Sequence, residues 1–191
     1  MRFPVALMFC ALALPAHAAQ PDTEMVARAQ ALATQSLRLW AADPVLVDAI
    51  TAQNTRHASL TQAQIDALDV AWRDELGRAV QPTVDAVVTG AAADFLRLQV
   101  EQAEGVITEV FVMDNHGLNV AASAVTSDYW QGDEAKFTET FPKGANAIHV
   151  SDVEFDESTQ AYQLQVSFPI VAPADGAVIG AITVALNAEQ L

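Results

Sequence analysis

Apolar residues in the first half of the chain recur with the period of an α-helix. From Thr23 to Trp40 they fall at positions 25, 26, 29, 32, 37 and 40, with polar residues between them, and this helical spacing predicts a long N-terminal helix. Asp43 followed by Pro44 is typical of a helix start, because aspartate accepts a backbone N–H and proline tolerates the first helical position. A short helix is therefore predicted from there through Ile50.

Two further helices are predicted before the pattern changes. Thr61 and Gln64 have the spacing of a capping box, and an apolar face follows at Ile65, Leu68, Trp72 and Leu76. Pro82 ends that helix, and the next one is predicted over residues 83–102. Gly90 is the weak point of this last helix, because glycine is a poor helix former.

The second half of the chain has the pattern of β-strands. The predicted strands are residues 106–113, 118–125, 147–155, 162–168 and 178–186. The first two form a hairpin around the turn at residues 114–117, and the fourth alternates strictly between apolar and polar positions. The fifth is almost continuously apolar, as expected of a central strand. The sequence thus predicts an α+β fold with an antiparallel five-stranded sheet.

The first eighteen residues have the form of a secretory signal peptide. Arg2 gives the positive start, an apolar stretch follows, and Ala16 to Ala18 forms a small-residue cleavage site. The predicted mature chain is a single domain over residues 19–191 in the periplasm or secreted medium. Because the only cysteine, Cys10, lies in the leader, no disulfide is predicted. No later segment is long and apolar enough to predict a membrane span.

Charge and motifs exclude several classes of function. The formal net charge of -15 argues against binding to nucleic acid or to anionic membranes, since both require clustered lysine and arginine. The histidines lack the spacing of a metal motif, and no glycine-rich phosphate loop or Gly-x-Ser-x-Gly elbow occurs. We therefore predict no cofactor and no enzyme activity.

The best candidate for a ligand-binding segment is the long loop at residues 126–137. It lies between two predicted strands and is too aromatic for disorder. Tyr129 and Trp130 are predicted to form an aromatic wall of a small-molecule pocket. The alternative is that one of the two rings packs in the core, because adjacent residues of a strand point in opposite directions.

Charged residues of the same region leave two alternatives open for the sign of the ligand's charge. Lys136 is the best-placed partner for a ligand carboxylate, although it has the alternative of a surface pair with Glu139 or Asp133. Asp128, Asp133 and Glu134 could instead hold a ligand ammonium group or a hard cation such as Ca²⁺. Asp156 is a further candidate. It lies in the predicted turn between the third and fourth strands, from which its side chain would reach the pocket.

The chain resembles the Cache family of extracytoplasmic sensor domains in the order and spacing of several motifs. These domains are PAS-like and are also called PDC domains. The likeness covers most of the mature chain and is strongest after Gly105, where it rests on these motifs: Val110–Gly117, Val120–Ser123, residues 126–134, Asp156–Ser158 with Val166–Ile170, and Val178–Ile182. Relatives serve bacterial chemoreceptors and histidine kinases in chemotaxis and signal transduction. The resemblance implies a PAS-like sheet with the N-terminal helix and small helices packed on it, and a pocket beneath the long loop.

The resemblance also implies ligands and partners. The expected ligand is a small polar metabolite: an amino acid, an organic acid or an amine. The chain resembles a free-standing version without its own anchor or output domain, signalling through a membrane receptor or histidine kinase. Leu32, Leu37 and Trp40 on the first helix are expected either to face the sheet or to form a homodimer seam, since related domains often pair along that helix.

Two other classes of function are open alternatives. A small periplasmic hydrolase would use a carboxylate pair such as Asp128 and Asp156. A structural or adaptor protein would have no ligand pocket, and its aromatic loop would meet another chain.

Overall fold

The computed structural model describes residues 20–156 and 160–191, and the predicted leader lies outside the described residues. One antiparallel sheet forms the centre of the fold, with the strand order β2-β1-β6-β5-β3, and β4 pairs with β5 as well. The strands are β1 Ile107–Met113, β2 Asn119–Ala122, β3 His149–Val150, β4 Glu154–Asp156, β5 Ala161–Val171 and β6 Val178–Asn187.

The predicted α+β fold class with an antiparallel sheet is confirmed. β6 lies between β1 and β5 and is buried along most of its length, as its apolar sequence predicts. The predicted strand 147–155 is broken into β3 and β4, which pair with successive parts of β5. Six strands therefore occupy five positions in the described part of the sheet.

Helices cover most of the chain before β1. They are α1 Thr23–Leu32, a π-helical turn Ala33–Leu37, α2 Arg38–Ala41, α3 Pro44–His57, α4 Gln62–Glu75, α5 Pro82–Val88 and α6 Ala91–Gln102. Two short elements follow β2, namely α7 Ala135–Thr138 and a 3-10 turn Phe141–Lys143. Within residues 20–156 and 160–191, no helix is both long and apolar enough to cross a membrane.

Local capping signals explain several helix boundaries. The Asp43 carboxylate accepts the backbone N–H of Val45 at 2.9 Å, and both halves of the Thr61–Gln64 capping box are present. Helix α3 nevertheless continues seven residues past the predicted end, to His57. The helix predicted over residues 83–102 is divided at Gly90, whose φ of 90° lies in the left-handed region that favours glycine.

Helices α1, α3 and α6 pack on the apolar face of the sheet. Leu164, Val166 and Phe168 alternate along β5 and are fully or almost fully buried in this core, as the strand pattern predicts. Leu37 is buried in the same core, and Trp40 packs against it. The apolar side of the first helix therefore faces the sheet, and homodimerisation along this helix stays a prediction.

Candidate functional site

The second face of the sheet is partly polar. Because successive side chains of a strand point to opposite faces, Gln163, Gln165 and Ser167 of β5 lie opposite the helical core. In the register of the sheet, Ala185 of β6 stands between Glu109 of β1 and Gln165 of β5. Because the side chain of this alanine is small, it leaves space on this face of the sheet between Glu109 and Gln165.

A cleft opens on this polar face, and we call it the sheet cleft. Its larger lobe has a volume of about 410 Å³ and lies toward β3, β4 and the start of α7. The smaller lobe has about 320 Å³ and lies beneath the loop at residues 125–131. Both lobes are lined by the same four residues, at which they meet: Glu109, Lys136, Asp156 and Gln165.

Lys136 is held at the junction of the two lobes. Helix α7 carries it, and only 16% of its side chain is exposed. Its ammonium group lies 3.0 Å from a carboxylate oxygen of Glu134, donates to the amide oxygen of Gln131 at 3.1 Å, and lies 5.5 Å from the ring centre of Phe111. These contacts fix one positive charge over the cleft floor.

Glu109 has no such partners. Its carboxyl group lines both lobes and makes no hydrogen bond or ion pair with the described residues. Burial raises the pKa of Glu109 from 4.5 to about 7, while the charge of Lys136 lowers it and that of Asp156 raises it. A buried carboxylate costs free energy unless a cation or a donor stands beside it. Glu109 therefore favours a positively charged group in the cleft.

Acidic residues outnumber basic ones around the larger lobe. Its described lining contains one lysine, one histidine and five acids: Glu109, Glu134, Asp152, Glu154 and Asp156. The carboxylate of Asp156 accepts a hydrogen bond of 2.9 Å from the side-chain amide of Gln163. The resulting negative potential attracts cations and repels anions.

The two predicted aromatic residues lie away from the sheet cleft. The Tyr129 ring stacks on Trp72 of α4, with 5.4 Å between ring centres and 9° between ring planes. The indole N–H of Trp130 donates to the backbone carbonyl of His116 at 2.8 Å. Neither Tyr129 nor Trp130 is among the described residues that line the cleft. The aromatic partner that α4 supplies draws Tyr129 into the core, so the predicted aromatic wall does not form there.

Helix α4 also fixes the backbone of this loop. The carboxylate of Asp69 accepts the backbone N–H groups of Tyr129 at 2.9 Å and Trp130 at 3.0 Å. The indole N–H of Trp72 donates to the carbonyl of Thr126 at 3.0 Å. The loop from 126 to 130 is thus held in place by α4 through three hydrogen bonds.

Two predicted acids are placed outside the cleft as well. Asp128 pairs with Arg73 of α4 at 3.0 Å, and Asp133 is exposed. Of the six predicted ligand-binding residues, the structure brings only Lys136 and Asp156 together in the sheet cleft. The carboxylate pair of the hydrolase alternative is therefore not assembled, because Asp128 is turned to Arg73.

Sequence reasoning missed Glu109, Gln165 and His149, which line the larger lobe. A signal for Glu109 was present, since an acid stands there in the middle of an otherwise apolar and β-branched strand. The position of His149 carried no comparable signal. Among the described residues, no group of three or more histidines and acids is arranged to hold a metal ion.

Comparison with known proteins gave structural neighbours only. No protein-family model matches the chain, and no curated protein matches it. The sensor domain of the histidine kinase DctB from V. cholerae aligns with a TM-score of 0.45 and 15% identity, over 87% of this chain and 56% of that one. This domain and the two neighbours described next are Cache (PDC) sensor domains.

Two further neighbours are ligand complexes. The ligand-binding domain of the Campylobacter jejuni chemoreceptor Tlp3 with L-valine has a TM-score of 0.42 and 14% identity, over 88% of this chain and 61% of that one. The corresponding domain of the Pseudomonas aeruginosa amino acid chemoreceptor PctC with GABA has a TM-score of 0.40 and 17% identity, over 68% and 52%. This chain thus spans little more than half the length of these neighbours.

Proposed function

We propose that this chain is a small-molecule-binding sensor domain and that its ligand carries an ammonium group bound in the sheet cleft. The proposal rests on Glu109, whose partly buried carboxyl group lines both lobes of the cleft and makes no hydrogen bond or ion pair with the described residues. An ammonium group beside it would offset the desolvation of the carboxylate and form a charge-assisted hydrogen bond.

The shape and charge of the cleft support this class of ligand. A lobe of about 410 Å³ falls in the size range of small-molecule sites and suits a metabolite the size of an amino acid. Its five acids face one lysine and one histidine, so a ligand with only negative charge would be repelled. Among the predicted classes, amines and amino acids are therefore favoured over organic acids.

Lys136 gives the cleft a way to distinguish amino acids from simple amines. Its ammonium group lies where the two lobes meet, so a ligand could place its own ammonium at Glu109 and a carboxylate at Lys136. Gln131 and Glu134 hold the lysine in place, which lowers the entropy cost of the contact. We infer that the ammonium group is required, whereas a carboxylate adds affinity.

Signalling completes the proposal. Ligand binding would bias the equilibrium between two conformations of the domain by its differential affinity for them. The readout partner would be a membrane receptor or a histidine kinase, with the domain over residues 19–191 exported by its leader to the periplasm or beyond. Comparing the location of the chain with and without residues 1–18 in cell fractions tests the export step.

A thermal-shift screen tests the binding site. Amino acids, monoamines, diamines and organic acids are compared near pH 8, where Glu109 is mostly ionised. We expect ammonium-bearing compounds to raise the melting temperature of the wild type and of Glu101→Gln, an exposed control with the same charge change. They should not do so for Glu109→Gln. Stabilisation by organic acids alone, or stabilisation that survives Glu109→Gln, would refute the proposal.

A further inference from the structure

A second groove lies on the helical side of the molecule. It is formed by α3, the junction of α5 and α6, and β2, and it has a volume of about 470 Å³. Small apolar side chains, among them Ala49, Ala52 and Ala121, form much of its lining, and Arg56 and Tyr129 supply polar groups. Tyr129 thus borders this groove, whereas the neighbouring Ser127 lines the sheet cleft.

Arg56 brings a positive charge to this groove. Its guanidinium group makes no hydrogen bond or ion pair with the described residues, although the chain carries 24 acids against nine lysines and arginines. By contrast, Arg28, Arg73 and Arg97 each bond to a carboxylate. The five N–H donors of Arg56 are therefore available to an anion in the groove.

The hydroxyl group of Tyr129 is a second available donor. Only 6% of this residue is exposed, and its hydroxyl makes no hydrogen bond with the described residues. Burial and the charge of Asp114 raise the pKa of Tyr129 to about 12, so the hydroxyl keeps its proton. The charge of Arg56, which lines the same groove, acts on this pKa in the opposite direction.

A buried hydrogen-bond network holds the wall that carries Arg56. The next residue, His57, bonds through Nδ1 to Asp114 at 2.8 Å, and Gln53 donates to the same carboxylate at 3.1 Å. Asp114 is fully buried and also accepts the backbone N–H of Leu118 at 3.0 Å. The last turn of α3 is thereby tied to the turn between β1 and β2, which fixes the groove independently of any ligand.

We propose that this groove is a second binding site, for a small aliphatic carboxylate. Arg56 pairs with the carboxylate in a bidentate manner, and the hydroxyl of Tyr129 donates to it. The hydrocarbon chain lies on the small apolar side chains of the groove, which gain from burial. One arginine and an apolar floor suit a single negative charge with a hydrocarbon tail better than a phosphate. The site is separate from the sheet cleft and does not depend on the function proposed for it.

Calorimetric titration of hexanoate into the full domain tests this site. We expect saturable binding with a dissociation constant of about 1 mM or below. Arg56→Gln and Tyr129→Phe should each weaken it roughly tenfold or more, in line with the loss of a hydrogen bond to a charged group. Tyr129→Phe retains the ring that stacks on Trp72, so it preserves the packing of the loop.

Matched controls separate this site from the sheet cleft. Arg78→Gln removes the same charge from an exposed residue outside the groove and should leave hexanoate binding unchanged. Glu109→Gln should also leave it unchanged, and hexylamine should not compete. Absence of saturable hexanoate binding, or equal binding by the wild type and Arg56→Gln, overturns the proposal.

Discussion

Replacement of Glu109 by glutamine should remove a pH dependence from the stability of the unliganded protein. The pKa of Glu109 is raised from 4.5 to about 7 in the folded state, chiefly by burial. Between these two values the folded protein holds a proton that the unfolded chain releases. The free energy of unfolding should therefore fall as the pH rises from 4.5 to 7, and the loss is complete above 7.

The size of the effect follows from this difference in pKa. At about 1.4 kcal/mol for each pH unit, ionisation of Glu109 lowers the free energy of unfolding by at most about 3 kcal/mol. For a chain of this length, that corresponds to roughly 6 to 12 °C in melting temperature. Glutamine has the shape of the protonated acid and does not ionise. The variant should thus match the wild type near pH 4.5 and exceed it by this amount near pH 8.

Urea unfolding across this pH range measures the difference. The wild type, Glu109→Gln and the exposed control Glu101→Gln are compared at each pH, and only Glu109→Gln should diverge from the wild type as the pH rises. A constant gap between Glu109→Gln and the wild type from pH 4.5 to 8 would show that the carboxyl group is hydrated or partnered in solution. Glu109 would then gain nothing from a ligand ammonium group, which would refute the proposed site.

Three further predictions concern the cleft and its supports. Affinity for an amine should fall about tenfold for each pH unit below 7, because the ligand must displace the proton of Glu109. Isothermal titration measures this affinity, and an affinity independent of pH would contradict the prediction. Lys136→Gln should weaken GABA roughly tenfold but leave butylamine unchanged in the same assay, since only GABA has a carboxylate; equal losses would exclude a carboxylate contact. Asp69→Ala should cost about 1 to 3 kcal/mol in urea unfolding and speed amide exchange at Tyr129 and Trp130, whose N–H groups it accepts; unchanged exchange at both would mean that the loop is held otherwise.

Much of the fold could be predicted from the sequence because its signals are local. The capping residues Asp43 and Thr61 act within one helical turn, and the alternation along β5 reports which face is buried. The break at Gly90 was visible as a weak point, but whether the chain continues through a glycine depends on tertiary packing. Helix α3 likewise continues to His57, which bonds to the distant Asp114.

The candidate site was harder to predict from the sequence, because its geometry depends on elements that are far apart in the chain. The sequence identified the loop and Lys136 but could not show that Trp72 and Asp69 of α4 would draw Tyr129 away from the cleft. The role of Glu109 depends on its register beside Ala185 in the sheet, which no local pattern reveals. Residues far apart in the chain define this site, so only the folded sheet brings them together.

The most direct measurement is a pH titration of the Glu109 side-chain carboxyl carbon by NMR, with and without the amine that gives the largest thermal shift. We predict a midpoint near pH 7 for the free protein, and a midpoint at least one pH unit lower when the amine saturates the domain. A midpoint near 4.5 in the free protein, or one that the amine leaves unmoved, would contradict binding of an ammonium group beside Glu109.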